Sequence, residues 1–158
     1  LNQLRILAID DEPDMRKLIQ VTLQEYGAEV LVVPSATEAL HLLDEFRPDV
    51  LISDIGMPSM DGYELIRQVK SRLEAQRSNR ANERLNSPNL PLQNGHSRGC
   101  GLRAIALTAY AGESDRQKAL AAGFDLHLAK PVDSEELVKA VMQVMRSDQS
   151  WNPSVYSS

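Results

Sequence analysis

Five apolar runs of strand length recur along this chain, each followed by a stretch whose apolar residues return at helical spacing. That alternation limits the fold more than any other feature. Leu4 to Ile9 reads as a strand, and Pro13 to Tyr26 as a helix carrying Met15, Leu18, Ile19, Thr22 and Leu23 on one face. Pro13 suits a first helical turn and Gly27 a left-handed stop. Glu29 to Val33 is the second strand. Ser35 to Phe46 is the second helix, with Ser35 and Glu38 spaced as a capping box and Ala36, Ala39, Leu40 and Leu43 facing inward. Asp49 to Ser53 makes the third strand, and a third helix begins near Ser59 with Leu65, Ile66, Val69 and Leu73 on its apolar face. The alternation returns with Arg103 to Leu107 as strand, about Ser114 to Ala122 as helix closed by Gly123, Leu126 to Ala129 as strand and Ser134 to Met145 as helix, capped by Asp133 with Glu136.

Strands this apolar are covered on both faces, so the expected architecture is α/β: a parallel five-stranded sheet between two helical layers. Ligands in such folds sit beyond the carboxyl ends of the strands. The residues there are Asp10, Asp11 and Glu12 after the first strand, Asp54 after the third, Thr108 after the fourth and Lys130, followed by Pro131, after the fifth. Nothing comparable follows the second strand.

Each of these residues has an ordinary explanation when taken singly. Asp10 and Asp11 would cap the first helix, Asp54 would open a turn, and Lys130-Pro131 would be one more turn. Four strand ends have to coincide for all of those explanations to hold together. If the first, third, fourth and fifth strands are neighbours, these carboxylates, a hydroxyl and an ammonium meet in one shallow cleft. Carboxylates that close cannot all stay ionised without a cation among them. A small set of oxygen ligands with room for water suits Mg2+. A carboxylate so placed, with a lysine and a hydroxyl nearby, can attack a phosphoryl group, and Asp54 is the expected nucleophile. The turn after it would offer a backbone carbonyl, that of Gly56, as a further ligand.

The 158 residues suit one domain at 1–147, a segment at about 75–101 expected to be a flexible insertion, and a polar tail at 148–158. Past Leu73 the apolar period dissolves into "EAQRSNRANERLNSPNLPLQNGHSRGCG", whose few large apolar residues cannot offset its ordering entropy. Its first part is open to reading as a prolongation of the third helix to near Arg84. Arg77, Arg80, Arg84 and Arg98 make the segment locally basic, which reads either as a solvated linker or as a docking segment for an acidic partner. In the tail, Trp151 and Tyr156 are set against a frayed terminus as alternatives. Seventeen basic against 22 acidic residues leave a net charge of −5, which argues against a general nucleic-acid surface. The single cysteine, Cys100, excludes an internal disulfide and fits a reducing compartment. No run spans a bilayer, so a cytoplasmic location is expected.

The motifs "AIDDEP", "LISDIGMPSMDGYEL", "IALTAYA" and "HLAKPV" resemble, in order and at the same strand ends, those of the receiver domain of two-component response regulators. The resemblance implies a three-layer, flavodoxin-like (βα)5 fold with strand order 2-1-3-4-5. It also implies that Asp54 accepts phosphate from the phosphohistidine of a histidine kinase or histidine phosphotransfer domain. Asp10 and Asp11, with Asp54 and the Gly56 carbonyl, would hold Mg2+; Thr108 would bind a phosphoryl oxygen and Lys130 would pair with the group. A cis peptide between Lys130 and Pro131 is implied as well. The output would be conformational, through the fourth helix, fifth strand and fifth helix. Such a chain is no enzyme beyond catalysing its own modification, binds no nucleic acid or membrane directly, and is expected to be a monomer or weak dimer.

One position departs from the family. Where a Tyr or Phe usually stands on the fifth strand, this chain has His127, either a switch residue or a surface imidazole. Gly56 and Tyr110 sit where they would tune the lifetime of the phosphoryl group. A phosphatase of the haloacid dehalogenase type shares the chemistry but wants a second carboxylate where Gly56 stands. A flavodoxin-like mononucleotide binder would need a phosphate-cradling turn where "DDEPD" stands, and a degenerate receiver would signal without phosphate. The start at Leu1 and the segment "GFDLHLAKPV" favour a piece of a hybrid histidine kinase over a free single-domain regulator.

Overall fold

The computed structural model describes residues 3–57, 60–86, 102–109 and 112–146, with residues 76–86 described as backbone only. Strand and helix alternate throughout: β1 (Arg5–Ile9), α1 (Pro13–Glu25), β2 (Glu29–Val33), α2 (Ala36–Phe46), β3 (Val50–Asp54), α3 (Gly62–Asn86), β4 (Arg103–Thr108), α4 (Glu113–Ala122), β5 (Leu126–Ala129) and α5 (Ser134–Arg146). All pairings are parallel and the order across the sheet is β2-β1-β3-β4-β5.

The two-residue period of the strands divides the core. Ile6 and Ala8 of β1, Val50 and Ile52 of β3, and Ile105 and Leu107 of β4 pack with Ile19 and Leu23 of α1 and with Leu137, Val141 and Val144 of α5. Leu7, Ile9, Leu51, Ala104 and Ala106 point the other way, against α2, Leu65, Ile66 and Val69 of α3, and Ala119 of α4. Helices α1 and α5 therefore cover one face and α2, α3 and α4 the other.

Local chemistry sets the element ends. The Glu38 amide donates to Ser35 Oγ at 3.3 Å and the Glu136 amide to Asp133 Oδ1 at 2.8 Å, so both expected caps form. Gly27 has φ 91° just past α1, the left-handed stop its position requires. Helix α3 begins at Gly62, later than the expected start near Ser59, because the Glu64 amide donates to Asp61 Oδ1 at 2.9 Å and caps the helix there. At its far end α3 runs to Asn86, so residues 75–86 continue the helix. The rest of the segment expected to be an insertion, 87–101, lies outside the described residues, as do Cys100 and the tail at 148–158.

Candidate functional site

The central strands deliver their polar ends to one edge of the sheet. Asp10 leaves β1 with its amide donating to the Val33 carbonyl at 3.2 Å, and its side chain is wholly buried. Its Oδ1 accepts from the Glu12 amide at 2.9 Å, and its Oδ2 accepts from Lys130 Nζ at 2.9 Å. Asp54 ends β3, also buried; its Oδ1 accepts from the Gly56 amide at 3.3 Å and its Oδ2 lies 3.5 Å from Lys130 Nζ. One ammonium thus bridges carboxylates from two adjacent strands.

Lys130 follows β5 at a cis Lys130-Pro131 peptide bond, and its amide donates to the Thr108 carbonyl at 2.7 Å. Thr108 is buried at the end of β4, opposite Ala129 of β5. Asp11 and Glu12 are exposed, with Glu12 Oε1 4.0 Å from Lys130 Nζ. Carboxylate oxygens of Asp10, Asp11 and Glu12 lie within 4.8 Å of one another.

The electrostatics follow from that crowding. Burial pushes the Asp54 carboxyl above its usual range, the neighbouring Asp10 charge pushes it further, and Lys130 and the Gly56 amide only partly oppose them. For Lys130, burial pulls the ammonium down, but its bond to Asp10 and the charges of Asp10, Asp54 and Glu12 outweigh that and hold it above its ordinary value. Among the described residues the carboxylates of Asp10, Asp11, Glu12 and Asp54 outnumber the nearby cations, Lys130 and Arg16, and leave an excess of negative charge on an all-oxygen donor set. That set fits a hard divalent cation.

Two supports were not among the candidate residues. Ser53 Oγ, buried, donates to the Asp54 carbonyl at 3.0 Å. Gly62 packs so tightly on the same carbonyl that a Cβ there would stand 2.6 Å from the oxygen. The start of α3 can approach the Asp54 main chain only because residue 62 has no side chain. A glycine three residues before the hydrophobic pair Leu65-Ile66 is a weak signal in the sequence, and close approach of this kind has none.

The remaining candidates are distributed differently. Gly56 is exposed, and a Cβ added to it would meet nothing within 4 Å. Tyr110 lies outside the described residues. His127 is half-buried. Its neighbours Leu126 and Leu128 pack on the α1 and α5 side, so strand alternation turns His127 toward the α4 side of β5. Its Nε2 is shielded from solvent and has no hydrogen-bond partner among the described residues.

Residues 6–77 match the family described as the response regulator receiver domain. An uncharacterized protein of Leptolyngbya boryana is 45% identical over 143 residues, covering 90% of this chain and 91% of that one. The sensor protein GacS of Pseudomonas syringae is 30% identical over 139 residues, 88% of this chain but only 13% of its own length. Among solved structures, the chemotaxis response regulator CheY4 of Vibrio cholerae superposes with a TM-score of 0.68 at 28% identity, over 89% of this chain and 98% of that one. The chain belongs to the receiver domain family of two-component signalling, with the flavodoxin-like fold of CheY proteins. Its relatives include both sensor kinases and response regulators. Among the described residues no helix is long and apolar enough to cross a membrane.

Proposed function

We propose that this domain takes a phosphoryl group onto Asp54 from the phosphohistidine of a histidine kinase or histidine phosphotransfer domain, and signals by the change of shape that follows. The observation that carries this reading is the bridge from Lys130 Nζ to Asp10 at 2.9 Å and Asp54 at 3.5 Å, beside a buried Thr108. An Asp54 oxygen attacks phosphorus, the phosphorus–nitrogen bond breaks, and the imidazole leaves and takes a proton from solvent. The Gly56 amide already points at Asp54 Oδ1 and steadies the carboxylate as it attacks. Lys130 turns from Asp54 to an incoming phosphoryl oxygen, and the Thr108 hydroxyl donates to another.

Mg2+ held by Asp10, Asp11, Asp54 and the Gly56 carbonyl would supply charge neutralisation for the transferred group. The acidic site is open at Asp11 and Glu12, which suits a donor carried on another protein's surface.

Phosphorylation adds about −1.5 to −2 charges at Asp54. Drawing Thr108 and Lys130 toward them shifts the loop after β4 and biases the face formed by α4, β5 and α5. His127 is the switch residue on that face, and its unpartnered Nε2 would gain a partner in the shifted state. Open space at Gly56 leaves water a route to the phosphoryl group, and the bulk of Tyr110 is proposed to lengthen its lifetime by obstructing that water. A dehalogenase-type phosphatase is disfavoured because residue 56 carries no carboxylate.

The test is phosphorylation by phosphoramidate or acetyl phosphate, with and without Mg2+, read by intact mass. A single adduct that needs Mg2+ and disappears in Asp54→Asn is the expected result. A folded protein that binds Mg2+ and takes no adduct would be a degenerate receiver.

A further inference from the structure

Arg16 stands in the first turn of α1, where the helix dipole disfavours a cation. Its side chain turns back out of the helix, and Nη1 donates to the Asp10 main-chain carbonyl at 2.8 Å. Its own amide donates to the Glu12 carbonyl at 3.1 Å. One residue thereby closes the turn from β1 to α1 at both ends, and that turn carries Asp10, Asp11 and Glu12. The other polar groups of Asp10 are held from elsewhere: the amide by Val33 of β2, Oδ1 by the Glu12 amide, Oδ2 by Lys130. Arg16 completes the set from the helix side.

We infer that Arg16 is a positioning residue for the metal and phosphoryl site, holding the acidic turn in the shape that presents its carboxylates to a divalent cation. This inference rests on the receiver reading above. The bond from Nη1 goes to a carbonyl rather than a carboxylate, so it leaves the carboxylate oxygens for the ion.

Two effects of removing Arg16 oppose each other, and their signs separate the explanations. If Arg16 acted only as a nearby positive charge, its loss would tighten Mg2+ binding, because a cation competes with a cation. If it positions the turn, its loss weakens Mg2+ binding, as loss of a group that orients a metal ligand does. Arg16 is half-exposed, so solvent damps the first effect and the second should win.

The experiment is a calorimetric Mg2+ titration of the full chain for wild type, Arg16→Ala and Arg16→Lys, with amide exchange at Glu12 in the metal-free proteins. Positioning predicts about tenfold weaker Mg2+ binding in Arg16→Ala, at the lower end for residues that act through a ligand. It also predicts faster exchange of the Glu12 amide, whose acceptor is Asp10 Oδ1. Arg16→Lys keeps the charge on a shorter, more flexible stem that reaches the Asp10 carbonyl less well, so it should recover only part of the affinity. In phosphorylation by phosphoramidate, the deficit should be largest at low Mg2+ and narrow as Mg2+ is raised.

Unchanged or tighter Mg2+ binding in Arg16→Ala overturns the inference, as does full recovery in Arg16→Lys. A lowered melting temperature with unchanged Mg2+ affinity would make Arg16 a stabilising contact only. If Arg16→Ala does not fold, Arg16→Lys decides, because equal affinity there overturns positioning. Wild type that neither binds Mg2+ nor takes an adduct would overturn the receiver reading and this inference with it.

Discussion

The two ends of the sheet use aspartates in opposite ways. At the amino end, Asp49 Oδ2 accepts from the Arg5 amide at 3.0 Å while the Asp49 amide donates back to the Arg5 carbonyl at 2.7 Å. Asp125 does the same with Ala104, 2.8 Å in each direction. These carboxylates serve as clips that continue the ladders between neighbouring strands and satisfy buried amides. At the carboxyl end, Asp10 and Asp54 face each other across one ammonium, with Asp11 and Glu12 beside them. A carboxylate that answers a backbone amide holds the fold together. Asp10 and Asp54 also accept backbone amides, from Glu12 and Gly56, but they crowd each other besides, and that crowding opposes ionisation of Asp54 and leaves charge available for a ligand.

Replacing Lys130 should break the comparison most severely. Lys130→Ala removes the ammonium that bridges the buried Asp10 and Asp54 and the group that would meet the phosphoryl oxygen. Phosphorylation by phosphoramidate at saturating Mg2+ should slow by about a hundredfold or more, the scale for losing one preorganised charge-stabilising group. A rate within about threefold of wild type would mean that the bridge is structural.

Asp125→Ala sharpens the other side. The Ala104 amide, fully buried, would be orphaned, and urea unfolding should report a loss of about 1–3 kcal/mol. The folded protein should still take a phosphoryl group at the wild-type rate. A large rate loss in the folded fraction would erase the distinction between the two ends.

The smallest expected effect is a gain in stability. Because the folded Asp54 carboxyl is raised above its unfolded value of 3.8, any stability linked to it is full below that pH and is lost as pH rises through the folded value. At neutral pH the ionised group therefore opposes folding. Asp54→Asn should melt a few degrees above metal-free wild type near pH 7, and that gap should close as pH falls toward 3.8. A gap that persists at low pH would point to packing rather than charge. Lys130 works in the same sense from the other side: its raised value contributes stability at all lower pH, lost only as pH climbs past it.

Much of this arrangement is legible in the chain, because its signals are local. The strand runs, the caps at Ser35 and Asp133 and the stop at Gly27 each depend on a few neighbouring residues. Boundaries slipped where tertiary contacts intervened. Asp49, read as the first residue of the third strand, lies just before β3 and clips Arg5 instead, while Asp54, read as following the strand, is paired opposite Leu107 and belongs to it. Helix α3 runs past the end of its apolar stripe at Leu73. Periodicity reports only a buried face, whereas a helix already nucleated by packing extends at little cost through good helix formers such as Glu, Ala, Gln and Arg.

By itself the sequence determined, to within a residue, which side chains stand at strand ends, since an apolar run of strand length followed by a 3.6-residue period places them without reference to the rest of the chain. Tertiary structure alone decided which aspartates clip neighbouring strands and which crowd one another, how Lys130 reaches Asp10 across 120 positions, and that Arg16 turns back to the Asp10 carbonyl. The reason is range: hydrogen bonds and charge pairs act over a few ångströms, and only the order and packing of the strands bring residues distant in sequence that close.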